Sequence, residues 1–188
     1  LLAEVAAEQG DTDTALWALH NLLRTAPEEE AEALRAQARA IYGAFYAAGA
    51  AGEIDLGPFL EGHTRISARW RFDPGFVGHA MAVPQRLLDT GMTALAAREY
   101  RALREMAQTL ERGGATAPDA NLMARLRRGE ARALLAGGQA DAAVDLLSGY
   151  ADDQQDYDVE PGHRPFLPRT RYRITRSTNW ESCLNPPN

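Results

Sequence analysis

The stretch from Gly10 to Pro27, Gly-Asp-Thr-Asp-Thr-Ala-Leu-Trp-Ala-Leu-His-Asn-Leu-Leu-Arg-Thr-Ala-Pro, constrains this chain more than any other. Leu1 to Gln9 reads as the end of a helix with Leu1, Leu2, Val5 and Ala6 on one side, and Gly10 suits the left-handed position that closes it. A second helix then runs back from about Asp13 to Arg24. Ala15 lies near its start, Leu16, Leu19, Leu22 and Leu23 form its buried stripe, and Trp17 flanks them. Thr25 is placed to cap the next helix, with Glu28 three residues on to complete a capping box. Helices this short cannot bury their apolar faces alone. The pattern demands a stack of helical hairpins.

The rest of the chain obeys that grammar unevenly. The helix after Pro27 is predicted to run to about Ala47, with Leu34, Ala38, Ile41, Tyr42, Phe45 and Tyr46 on one face and Glu28, Glu29 and Glu30 at the positive end of its dipole. Gly49 to Gly57 reads as a small-residue connection, and a helix is predicted after it from Pro58 to about Arg71. Phe72-Asp73-Pro74-Gly75 is a break, and Asp73 is placed to cap a helix beginning at Pro74. Pro84 predicts a kink or a split in that segment. After Thr90-Gly91 a helix to about Arg112 puts Ala96, Tyr100, Leu103, Ala107 and Leu110 on one face. Residues 113–118 read as a loop, and Asp119 to Ala136 as a helix with Leu122, Leu126, Gly129 and Ala133 on a stripe. Gly137-Gly138 repeats the opening turn, with Ala143, Val144, Leu146 and Leu147 after it.

Beyond Tyr150 the composition shifts. Asp152, Asp153, Asp156, Asp158 and Glu160 form an acidic connector, and prolines at 161, 165, 168, 186 and 187 argue against further helix. Arg169 to Ser177 alternates in strand-like fashion, so residues 161–188 are expected to lie extended on a surface. The chain thus divides into a helical unit over 1–150 and a connector and tail over 151–188. Charge divides with it: residues 1–160 carry −10, residues 161–188 carry +4, and the total is −6. An acidic body with a basic tail can dock on itself or on an acidic partner. No apolar run approaches the ~20 residues of a membrane span. Leu1 lies inside an apparent helix and is not Met, which is the expectation for a processed form or a fragment. All basic residues are arginine, and the abundance of Ala, Gly and Leu suggests a GC-rich bacterial genome. Cytoplasm and periplasm both stay open, with one cysteine, Cys183, and no partner for it in the chain.

Candidate site residues fall into three groups. Arg125, Arg128 and Arg132 lie on one helical stripe, where guanidinium groups can clamp carboxylates or phosphates unless Glu130 and other nearby acids neutralise them. Arg65, Arg69 and Arg71, with Trp70 between the last two, form a basic and aromatic cluster of the kind that stacks nucleotides, although the acidic balance counts against nucleic acid. Trp180, in the tail, is placed to contact the body or a partner. His20, His63, His79 and His163 lack metal-ligand spacing, Ser148 and Ser182 lack the context of a nucleophile elbow, and the glycine pairs lack a following lysine. The expectation is therefore a protein with no enzymatic activity, no cofactor and no metal.

The residues Gly10, Ala15, Leu19, Leu22, Leu23 and Pro27, and again Gly138, Ala143, Val144 and Leu147, resemble the tetratricopeptide repeat. Gly91, Ala96 and Tyr100 make a weaker copy, and Gly52 matches only in its turn. These glycines are spaced by 42, 39 and 47 residues, against ~34 in the family, so the repeats are irregular. The resemblance covers roughly residues 1–150. It implies an all-α, right-handed superhelix (an α-solenoid) of three to four hairpins, whose concave face binds a peptide or protein segment. The family's clamp for chaperone tails uses lysine, which is missing here, so that ligand is not expected. The function expected is a protein-interaction scaffold, on its own or as an accessory subunit of a larger assembly. The alternative is a helical accessory or dimerisation domain of a larger enzyme or regulator.

Overall fold

The computed structural model describes residues 2–112 and 120–157, with the side chains of 2–112 and 121–149. Among these residues the chain is all-helical, with no strand. In order come α1 (Leu2–Glu8), α2 (Thr12–Leu23), α3 (Glu28–Ala51), α4 (Leu56–Trp70), α5 (Phe76–Ala80), α6 (Ala82–Asp89), α7 (Thr93–Arg112), α8 (Ala120–Ala136) and α9 (Ala140–Tyr157). Packing follows chain order for most of the length: α1 on α2, α2 on α3, α6 on α7, α7 on α8, and α8 on α9. The middle departs from it. There α3 packs directly on α5 and α6, while α4 leans on α2 and α6.

Four turns carry the fold. Gly10, Gly52, Gly91 and Gly138 adopt φ of 75°, 80°, 79° and 75°, and no other described residue has positive φ. In each, the residue after the glycine donates its N–H five residues back: Asp11 to Ala6, Glu53 to Ala48, Met92 to Leu87 and Gln139 to Leu134, at 2.8 to 3.0 Å. This is the same glycine-closed cap four times over, and a side chain at the left-handed position would be strained. Asp11 then caps α2, its Oδ1 accepting the Thr14 N–H at 3.1 Å.

Several boundaries differ from the expectation. The Thr25–Glu28 capping box does not form. Thr25 is still closing α2, its hydroxyl donating to the Leu22 carbonyl, and α3 opens behind Pro27 without a side-chain cap. Helix α3 runs through Gly49 to Ala51, because that glycine is packed under the Phe59 ring, where a Cβ would overlap it. Gly62 beneath Phe45 and Gly129 beneath Tyr100 serve α4 and α8 in the same way. The segment with Pro84 splits at Met81, so Pro84 sits in the first turn of α6, where no N–H is needed. Helix α9 continues past Tyr150 to Tyr157.

The core is centred on Tyr42, Tyr46, Phe59, Trp70 and Phe76, joined to Leu16 and Leu19 of α2 and to Leu103 and Leu126 of α7 and α8. At the N-terminal end Ala3, Ala6, Ala15 and Ala18 are buried while Leu2, Val5, Trp17 and Leu22 are exposed, so the buried stripe is narrower than the apolar one. Leu135, Val144 and Leu147 are exposed at the α8–α9 end. No helix among the described residues is long and apolar enough to cross a membrane.

Candidate binding groove

Two carboxylates among the described residues are buried, and each ties helices together. Asp73 is 7% exposed and accepts four bonds: from Arg39 Nε (2.9 Å) and Nη2 (3.1 Å), from Tyr42 Oη (2.8 Å) and from the Gly75 N–H (2.9 Å). The expected cap does not form: α5 begins at Phe76 behind Gly75 with no side-chain cap, and Asp73 instead accepts the Gly75 N–H within the turn, in a network that pins the 71–75 turn to α3. The Asp73 carboxylate holds the Arg39 charge above its ordinary value, and burial together with Asp73 raises the Tyr42 phenol. Glu130 is 1% exposed and accepts from Arg101 Nε (2.9 Å) and Arg104 Nε (3.1 Å), locking α8 to α7. Glu130 therefore does not neutralise the arginine stripe. It lies two residues from both Arg128 and Arg132, about 200° around the helix from each.

A partly buried histidine lies on α4. His63 Nδ1 and Tyr46 Oη share a hydrogen bond of 2.8 Å, and the imidazole stacks on Phe76 at an interplanar angle of 19°. Burial pushes His63 down to about 4, so it is neutral at neutral pH, and burial raises the Tyr46 phenol.

The groove lies between α3 and the α5–α6 segment. Gly43, Ala47 and Ala50 of α3 and Gly78 and Ala82 of α5 and α6 make a floor of small residues in a cavity of about 350 Å³. His79, Gln85, Tyr100 and Arg125 provide its polar groups. Tyr100 Oη donates to Gln85 Oε1 (3.3 Å), and Gln85 Nε2 donates to Asp89 Oδ1 (2.8 Å), which fixes the amide's orientation. Burial raises the Tyr100 phenol while the charges of Arg132 and Arg125 oppose that rise, so both guanidinium groups lie within electrostatic reach of the groove wall.

The sequence candidates separate in space. Arg125, Arg128 and Arg132 lie on α8, and none makes an ion pair among the described residues. Arg65 and Arg69 face Asp13 at 3.8 and 3.1 Å, tying α4 to α2, and Arg65 also lies 3.9 Å from Glu61. Trp70 is 4% exposed, edge-on to His20 and tilted against Tyr42, so it offers no open face for stacking a base. Trp180 lies outside the described residues. No group of three potential metal ligands occurs among those described. The floor of the groove went unread in the sequence, although Gly43, Ala47 and Ala50, and Gly78 and Ala82, recur at i, i+4 and i+7 spacing. No family model, curated protein or solved structure matches this chain.

Proposed function

We propose that this chain is a non-enzymatic protein-interaction scaffold that holds an acidic, extended peptide segment of a protein partner in the groove between α3 and α6. The observation that carries this is the Arg125, Arg128, Arg132 stripe: three guanidinium groups without an ion pair among the described residues, on a chain of net charge −6, the first of them at the wall of a groove floored by glycine and alanine. Small residues let a peptide backbone approach closely, and free arginines supply bidentate partners for its carboxylates. In this proposal α1/α2, α3/α4, α6/α7 and α8/α9 are tetratricopeptide-like hairpins of a right-handed α-solenoid. The four identical glycine caps support the pairing.

A second reading has its own support. Leu2, Val5, Trp17 and Leu22 are exposed together on α1 and α2, and Leu135, Val144 and Leu147 on α8 and α9, whereas the end units of a free-standing repeat stack are polar outside. That favours an accessory or dimerisation domain, or a subunit of a larger assembly, with neighbours on its ends. One experiment tests the groove: capture of partners from the source organism by wild type and by R125Q/R128Q/R132Q. Loss of a specific partner from the triple variant is expected. Equal capture removes the stripe from consideration.

A further inference from the structure

A second cavity, of about 260 Å³, opens where α2 and α4 end beside the 71–75 turn. His20, Arg24, Arg35, Trp70, Phe72 and Asp73 form most of its wall. Trp70 is 4% exposed and its indole N–H meets no acceptor among the described residues. Buried donors left unpaired are rare in folded proteins, and a bound acceptor is one of the few things that accounts for them. The arginines beside it have donors to spare. Arg24 is exposed and pairs with no acid among the described residues, and Arg35 reaches Glu32 and Glu28, both exposed, only at 3.6 and 3.9 Å. The Arg71 guanidinium lies 4.8 Å above the centre of the Phe72 ring. Among the described residues Asp73 is the one acid in the wall, and its oxygens are already taken by Arg39, Tyr42 and the Gly75 N–H.

We propose that this cavity binds an organic carboxylate, its apolar body against Leu23 and Phe72 and its oxygens on Arg24, Arg35 and the Trp70 indole N–H. The planar guanidinium fork matches a carboxylate in two parallel bonds. A doubly charged phosphate suits the place less well. Both α2 and α4 direct the negative ends of their dipoles here, and the Asp73 carboxylate stands in the wall.

The test uses the indole protons of the full-length chain, observed by nitrogen-15 NMR. The three tryptophans give three indole signals, and a W70F spectrum identifies that of Trp70. Titration with N-acetylphenylalanine should move the Trp70 signal saturably with a midpoint of about millimolar, as expected for a ligand of this size. The neutral amide of the same compound should bind about tenfold more weakly, and R24A/R35A should weaken the carboxylate by a similar factor. Both arginines lie at the surface, and R24A alone serves if the double variant loses signal dispersion. No saturable shift, an equal response to acid and amide, or tighter binding of phenyl phosphate than of the carboxylate would each overturn the assignment.

Discussion

The partly buried His63 makes the fold acid-sensitive in a defined window. Its folded pKa of about 4 lies below the unfolded value of 6.5, so the unfolded chain binds the proton first as pH falls. Stability contributed by the neutral imidazole is fully present above the unfolded value and is lost progressively as pH drops from there toward the folded value. Integrating that difference gives a loss of about 2 kcal/mol between pH 7 and pH 5. The structural cause is direct: protonation places a charge between Tyr46 and Phe76, where no carboxylate of the described residues bonds the ring. The measurement is the urea midpoint of wild type and H63Q at intervals between these pH values. The glutamine amide can still bond the Tyr46 hydroxyl, but it does not titrate. Wild type should lose midpoint steadily below neutrality while H63Q holds nearly flat, the two curves diverging by an amount equivalent to about 2 kcal/mol. Parallel curves would refute the burial of a neutral His63.

Further outcomes rest on particular positions. E130Q should destabilise by about 2–3 kcal/mol, below the usual cost of breaking a buried pair because Arg101 is half-exposed and can return to water; the urea midpoint reads it. Glycine-to-alanine changes should differ in sign by place. G49A drives a methyl into the Phe59 ring and should cost about 1–3 kcal/mol, whereas G78A meets nothing within 4 Å and should be neutral or stabilising by up to about 1 kcal/mol, compared by thermal melts. G138A places a side chain at φ 75° and should cost about 1 kcal/mol, while R125Q/R128Q/R132Q should leave stability within about 0.5 kcal/mol of wild type.

What was legible in the sequence was local. Gly10, Gly52, Gly91 and Gly138 could be placed because a left-handed turn needs glycine and its caps reach only five residues back. The stripe of Ala96, Tyr100, Leu103, Ala107 and Leu110 was readable from helical period alone; the first four are buried and Leu110 is partly buried. What was missed depends on distant partners. Gly49 looks like a helix breaker until Phe59 is known to lie on it, and Trp70 next to Arg69 looks like an open stacking surface until His20 and Tyr42 enclose it. Leu22 belongs to the apolar stripe of α2, yet it is exposed in the fold. The groove escaped notice for a related reason: small residues carry no chemistry of their own, and their spacing acquires meaning only once α3 and α6 are side by side.

The central claim, that an extended acidic peptide lies over this small-residue floor, can be tested by filling the floor. A side chain added at Gly78 has open space before it, so G78L should fold as well as wild type while occupying the groove. Fluorescence anisotropy of a short labelled peptide of alternating Glu and Val measures the effect. G78L should weaken binding about tenfold or more, and R125Q/R128Q/R132Q should weaken it in a salt-dependent way. Undiminished affinity of both variants, with their folds intact, would contradict the claim.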